Sequence, residues 1–347
     1  MAWVASVEED EIFGKRKGYP NDRRPCDYRC ELSDTPADVI DCWFAEANIP
    51  IGESVKKDPE KMKCVKELMY TCKDAILTET TKMVRTDMVV HSFPTWENAI
   101  PVRAKATLYT PQERKWMEMN IPQLLEAKII EHLLSPGSHR TKFVSKKDGD
   151  LRMVHVYCPI NAATIPNAYP MKRIQPVLNN LLQSGLSVYF QADAANGYWA
   201  VPLVPQHANK TAFDTRMGQF HYLRMGQGLA GARQTYMRLK DIFARPIPGP
   251  NGEPALNITG IPGAFETFVD NGYRAHQSFE DQFSFLHKHY FPRLSWSRLT
   301  IKPRKSGFFL DSISPIGFKA SGNGLRPSCD KLRAIREYPA PIPWDEL

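Results

Sequence analysis

The 347-residue sequence lacks any apolar run near the roughly 18 residues that argue a membrane span. Its start, "MAWVASVEEDEIFGKR", is acidic and does not resemble a signal peptide. The expectation is therefore a soluble, intracellular protein, cytoplasmic or nuclear, with no membrane partner. Cysteine is also sparse: seven residues, odd in number and without paired spacing, which argues against a disulfide framework. Cys26 and Cys30 have the spacing to open a zinc site, but no second pair of ligands follows, and free thiols are expected. Neither a Walker loop nor a Rossmann glycine fingerprint is present, which excludes the phosphate-cradling folds built on those loops. Charge of one sign hardly dominates. With 45 basic against 38 acidic residues the net charge is +7, which permits a polyanionic partner without requiring one.

What is present suits a globular core. Hydrophobic residues make up 42% of the chain, enough for two or three subdomains. "TPADVIDCWFAEANI" reads as a short helix capped by Thr35 with Pro36 at its first position. In "DPEKMKCVKELMYTCKDAIL" the residues Met62, Val65, Leu68, Met69, Cys72 and Ile76 recur at helical spacing and form a packing face. "TDMVVHSFPTWENAIPVRAKATLY" reads as irregular or edge strands because of Pro94 and Pro101. Thr110, Pro111 and Glu113 form a capping box at the start of a helix that Pro122 is expected to kink or divide. "KFVSKKDGDLRMVHVY" signals a hairpin turning near Asp148 and Gly149. A helix, "RIQPVLNNLLQSG", is expected to end at Gly185, followed by the strand "LSVYFQADA". The helix "GARQTYMRLKDIFA", a proline- and glycine-rich loop from Arg245 to Gly263, the strand "FETFVDNG" and a helix begun by Ser278 complete the pattern.

Two aspartates stand at strand ends, Asp193 in "VYFQADAANGYWAVPL" and Asp270 in "FETFVDN". Nucleotidyl transfer needs hard oxygen ligands that hold two magnesium ions roughly 3.5–4 Å apart, and carboxylates on neighbouring rigid strands meet that need. Either aspartate taken alone is better read as a strand-end residue bonded to nearby backbone. The order of the motifs around them decides the matter. "SKKDGDLR", "NAYPMKRI", "ADAANGYWAVPL", "KTAFDTRMGQFHYLRMGQGLAGA", "FVDN", "LTIKPRKSGFF", "PIGF" and "GLRPSCDKLRAI" follow one another between about residues 86 and 338. In that order the chain resembles the reverse transcriptase domain of gypsy-like long-terminal-repeat retrotransposons, a fragment of a Pol polyprotein.

The resemblance implies an α+β right-hand polymerase fold, with fingers, a palm built on an antiparallel sheet, and a truncated thumb where the chain reaches "YPAPIPWDEL". The implied division is an N-terminal, partly helical extension over 1–80, fingers over 81–168 and 201–229, palm over 169–200 and 230–322, and the start of a thumb or connection over 323–347. By position, Asp193 and Asp270 would be catalytic metal ligands, with Asn271 beside them and the carbonyl of Ala194 as a further ligand. Two magnesium ions, with manganese as a substitute, are the implied cofactors. The backbone of Asn196 and Gly197 would face the triphosphate of a deoxynucleotide, and Arg152 and Lys146 would contact its phosphates. Tyr198 would stack beneath the sugar and exclude a ribose 2′-hydroxyl; read alone, it is equally a buried strand tyrosine. Gln227 and Gly228 of "MGQG" would abut the sugar and templating base, and Gly317 of "PIGF" would belong to the primer grip. The implied partners are an RNA or DNA template with its primer and deoxynucleoside triphosphates.

Three departures from the family pattern stand out. Val156 and Cys158 occupy positions where the family has an aspartate and an arginine, and Arg233 replaces a proline. Asn271 replaces the second of two adjacent carboxylates. At an effective dielectric of about 20, losing that charge about 4 Å from a divalent ion costs a gross Coulomb attraction of about 8 kcal/mol, before screening and water ligands reduce it. The expected function is RNA-directed DNA polymerase, impaired or altered by Asn271. The alternatives are a catalytically inactive retroelement relic that at most binds nucleic acid, and a structural interaction protein.

Overall fold

The computed structural model describes residues 35–79, 82–97, 100–105, 107–145, 149–170, 173–182, 185–195, 197–244, 265–268 and 270–337. Cys26, Cys30 and the loop from Arg245 to Gly263, together with Lys146 and Asn196, lie outside the described residues.

Helix α1 (Ala37–Ala47) starts one residue later than the sequence pattern suggests, with Pro36 rather than Thr35 at the N-cap, and stops at Asn48 in the left-handed region, φ 50°. Helix α2 (Pro59–Thr71) is capped by Asp58, whose carboxylate accepts from the backbone of Glu60 and Lys61. Its stripe Val65, Leu68 and Met69 is completely buried. Isolated parallel bridges, Ile51 to Phe308 and Ile76 to Ile301, tie this partly helical region to the later half of the chain.

Helix α3 (Pro111–Glu126) opens with the expected capping box, the Thr110 hydroxyl accepting from Glu113 N–H and the Glu113 carboxylate accepting from Thr110 N–H. Pro122 does not divide it. The missing proline N–H breaks one helical hydrogen bond, but Met117, Ile121 and Leu124 anchor both sides of it in a common core. Strand β1 (Ile130–His132) follows, then the expected hairpin of β2 (Thr141–Ser145) and β3 (Leu151–His155), in register from Thr141 with His155 to Ser145 with Leu151. Helix α4 (Ile174–Asn180) ends well before Gly185, with Leu181 as its C-cap.

The main sheet is antiparallel, in the order β7 (Glu266–Phe268), β8 (Asn271–His276), β4 (Val188–Asp193), β9 (Gly307–Leu310). Strands β5 (Phe213–Thr215) and β6 (Gly218–Tyr222) form a second sheet with β1, and β10 (Ser312–Ile313), β11 (Phe318–Ser321) and β12 (Gly324–Pro327) form a third. Period-two alternation along β4 sends neighbouring side chains to opposite faces. Phe190 and Ala192 enter the larger core with Tyr236, Leu239 and Phe243 of helix α5 (Ala232–Ala244). Tyr189 goes to the other face, against Val177, Leu181, Tyr273 and Ile313. Helix α6 (Phe279–Phe285) is capped by Ser278 as expected, its hydroxyl accepting from Asp281 N–H. One π-helical turn, Leu286–Tyr290, connects it to α7 (Phe291–Ser297), and α8 (Cys329–Arg336) closes the described chain.

Arg224 joins the second sheet to the rest. It is 6% exposed, and its guanidinium donates to the carbonyls of Met83, Ala127, Lys128 and Trp199. Four carbonyl dipoles offset the desolvation of a buried cation, which still pulls its pKa down to about 10.

Gly52 marks the tightest approach between the helical N-terminal region and the main sheet. Its N–H donates to Phe308 O at 3.0 Å, and a Cβ there would lie 1.7 Å from the carbonyl oxygen of Phe309. Backbone cannot yield as a side-chain tip does, so Gly52→Ala should destabilise the fold by about 3 kcal/mol, read as a lower urea midpoint at unchanged slope.

Candidate active site

The Asp270 turn owes its geometry to the β7–β8 hairpin. Phe268 pairs with Asn271, so Asp270 lies in the two-residue turn rather than at the end of a strand as the sequence suggests. Next to it, Asp193 pairs with Asn271 across the β4–β8 ladder. The backbone holds both aspartates. Asp270 O accepts from Ala194 N–H at 3.2 Å and from Lys240 Nζ at 3.2 Å. Asp193 N–H donates to Ser306 Oγ at 3.1 Å, and Asp193 O accepts from Lys302 N–H at 2.8 Å. Four segments thus converge: β4, the hairpin turn, α5 and the 302–306 loop.

These residues open into a cavity of about 440 Å³ that Asp193, Asp270, Arg152, Tyr198, Gln227 and Lys302 line together. Ala194, Gly197 and Lys305 complete the same wall. Gly228 stands beside it, φ 89°, with its carbonyl held by Asn161 Nδ2 at 2.8 Å. Asn161 also accepts from Ala230 N–H at 2.8 Å, so one amide clamps the "MGQG" loop. Gly317 is not among the cavity residues; it occupies the β10–β11 turn at φ 78°.

Burial pushes the Asp193 and Asp270 carboxyls above the ordinary carboxylate value. Lys302, Lys305 and Lys240 oppose this at Asp193. At Asp270, Lys240, Lys302 and Arg152 oppose it, while the Asp193 charge adds to it. The Tyr198 hydroxyl is raised by burial first and by Asp270 second, and Arg233 bonds it in opposition. The departure at Arg233 therefore has a contact inside the site.

Metal chemistry can be tested on the polar atoms themselves. Asp270 Oδ1 and the Tyr236 hydroxyl are both buried without a hydrogen-bond partner. The Tyr236 hydroxyl packs so close to Gly197 that a Cβ there would lie 2.4 Å from it, which requires glycine at that position. A carboxylate oxygen left unsatisfied next to a second carboxylate fits a hard divalent cation, with substrate and water oxygens completing its shell. Among the described residues no group of three His, Cys, Asp or Glu is gathered, so protein carboxylates alone would not enclose an ion.

Sequence reasoning missed Lys240, Lys302, Lys305 and Tyr236. The lysines at 302 and 305 lie in the quoted motif "LTIKPRKSGFF", directly after the apolar residues Leu299 and Ile301. Lys240 gave a subtler signal, a cation on the apolar stripe of an amphipathic helix.

Two aspartates from a hairpin turn and an adjacent strand, at the surface of an antiparallel sheet, define the α+β right-hand polymerase fold. Solved structures agree: the foamy viral protease-reverse transcriptase in complex with RNA/DNA hybrid superimposes with a TM-score of 0.70 at 18% identity, covering 90% of this chain and 39% of that one. The same protein in complex with dsDNA gives 0.70 over 91% of this chain and 61% of the other. In sequence, the Retrovirus-related Pol polyprotein from transposon gypsy of Drosophila melanogaster is 26% identical over 306 residues, 86% of this chain and 27% of its own length. The Transposon Tf2-7 polyprotein of Schizosaccharomyces pombe is 25% identical over 237 residues, 68% of this chain and 17% of its own. The chain thus spans about a quarter or less of these relatives. No protein-family model matches. The chain thus resembles a stretch of transposon Pol polyproteins in sequence and the foamy viral protease-reverse transcriptase in fold, and the two likenesses together support a reverse transcriptase region of the long-terminal-repeat retrotransposon type. Among the described residues, no helix is long and apolar enough to cross a membrane.

Because both folded-state carboxyl pKa values lie above 3.8, their contribution to stability is full below that value and is lost as pH rises through the raised values. Asp270→Asn should therefore raise the melting temperature of the metal-free protein at pH 7. The gain should shrink as pH falls toward 3.8, as differential scanning calorimetry across that range would read.

Proposed function

We propose that the chain carries out template-directed DNA synthesis as an RNA-directed DNA polymerase, with fingers at 81–168 and 201–229, palm at 169–200 and 230–322, an N-terminal extension at 1–80, and the start of a thumb or connection from 323. One observation supports this most strongly: Asp193, Asp270, Arg152, Tyr198 and Gln227, far apart in sequence, line one cavity.

Asp193 and Asp270, with the Ala194 carbonyl, would hold magnesium, or manganese in its place. When bound, these ions would lower the pKa of the primer 3′-hydroxyl and neutralise charge on the departing pyrophosphate. The primer oxygen attacks the α-phosphorus of a deoxynucleotide, the bond to the β-phosphate oxygen breaks, and pyrophosphate leaves. Arg152 would bind the triphosphate as a planar fork, with Lys302, Lys305 and Lys146 supplying further positive charge. Gly197 and Asn196 would offer backbone N–H groups to the same phosphates. Tyr198, whose ring centroid is 5.4 Å from that of Tyr236, would stack beneath the sugar and exclude a ribose 2′-hydroxyl. Gln227 and Gly228 would contact the nucleotide and templating base, and Gly317 would approach the primer strand. A net charge of +7 suits an RNA or DNA duplex.

The second reading, a nucleic-acid-binding relic without catalysis, is favoured by Asn271 alone. Asn271 pairs with Asp193 in the β4–β8 register, its side chain bonds the Tyr273 hydroxyl, and it supplies no charge.

Primer extension on a poly-rA/oligo-dT template, with magnesium and with manganese, separates the two. The account expects slow extension by the unmodified chain, extension faster by roughly tenfold or more with Asn271→Asp, and none with Asp193→Ala. Activity in Asn271→Asp alone would establish the relic reading; silence from both would sink the polymerase proposal.

A further inference from the structure

Helix α5 turns Ala232, Tyr236, Leu239 and Phe243 into the main core, and Lys240 lies on that same buried side, 7% exposed. A buried ammonium is costly unless its neighbours compensate it. Part of that compensation comes from the site: Lys240 Nζ donates to the Asp270 carbonyl at 3.2 Å and sits 5.5 Å from the centroid of the Tyr236 ring. Its charge acts on both carboxylates, and at Asp270 it is the largest of the opposing cations.

We propose that Lys240 is a positioning residue and built-in counter-cation of the Asp193–Asp270 pair: it fixes the hairpin turn through the Asp270 carbonyl and, by its charge, competes with divalent ions for the two carboxylates. The inference rests on the polymerase reading of this cleft. Lys240 and Asn271 then act in the same direction. One adds a positive charge and the other withholds a negative one, so both lower the net negative charge that faces an incoming dication. Lys302, Lys305 and Arg152, more exposed on the cavity wall, face the space a triphosphate would fill. They repel a bare ion too, but a bound triphosphate neutralises them, whereas Lys240 stays beneath the turn.

A lysine that merely props the turn would have the opposite signature. Replacing it would loosen Asp270 and weaken metal binding or leave it unmoved. The test is a titration of the full-length chain with manganese alone, free ion being read by electron paramagnetic resonance. Lys240→Met should tighten binding by about tenfold or more, since removing a like charge at close range is worth at least that factor. Lys240→Arg, which keeps the charge, should bind as the unmodified chain does, and Asp270→Asn should bind more weakly. Circular dichroism checks folding; if Lys240→Met does not fold, Lys240→Gln carries the same prediction. Manganese affinity that is unchanged or reduced in the charge-removed variant overturns the role of Lys240 and leaves the polymerase reading standing. No manganese binding by any variant overturns both.

Discussion

The antiparallel register of β4 against β8 is the constraint on which the site depends. Asp193 faces Asn271, and the residue just before it, Asp270, lies in the hairpin turn, where its carbonyl receives the N–H of Ala194. Strand side chains alternate, so a slip of one residue would send Asp193 into the core that holds Phe190 and Ala192 and would bring Ala192 to the cleft. The register is held from both faces of the sheet. Phe190 packs among aromatic rings of α6, the π-turn and β9, while Tyr189 and Tyr273 pack on the opposite side. The chemistry at the rim is thus paid for by aromatic burial beneath it.

Electrostatics then shape what the cleft accepts. Burial alone would favour protonated carboxylates, and the surrounding lysines and Arg152 pull the other way. A cleft with two carboxylates at its base and cations on its walls suits a ligand that brings both signs, polyanionic phosphate together with divalent metal. Neither partner alone satisfies both groups. Arg233, exposed at the start of α5, extends the positive side by bonding the Tyr198 hydroxyl.

Features set by local chemistry were legible in the sequence. The Thr110–Glu113 capping box, the Ser278 cap and the 141–155 hairpin each rest on hydrogen bonds or turn residues a few positions apart. The order of motifs marked Asp193, Asp270, Arg152, Tyr198 and Gln227 as one site, and the cavity contains all five. What the sequence hid depends on tertiary contact. Pro122 leaves α3 whole because the core grips both sides of it, and α4 stops short of Gly185 although its pattern runs on. Gly52 looks like an ordinary loop glycine until the Phe309 carbonyl is found against it. Lys240 stands on the apolar stripe of its helix, but its bond to the Asp270 carbonyl joins segments 30 residues apart and is legible only in the folded chain.

The most direct test of the central claim, that Asp193 and Asp270 form one metal site for nucleotidyl transfer, is a crystal of the chain with primer–template and a deoxynucleotide, soaked in manganese and measured at the manganese edge. The account predicts an anomalous peak bridging the two carboxylates and the triphosphate. A nucleotide bound in the cleft with no peak between Asp193 and Asp270 would contradict it.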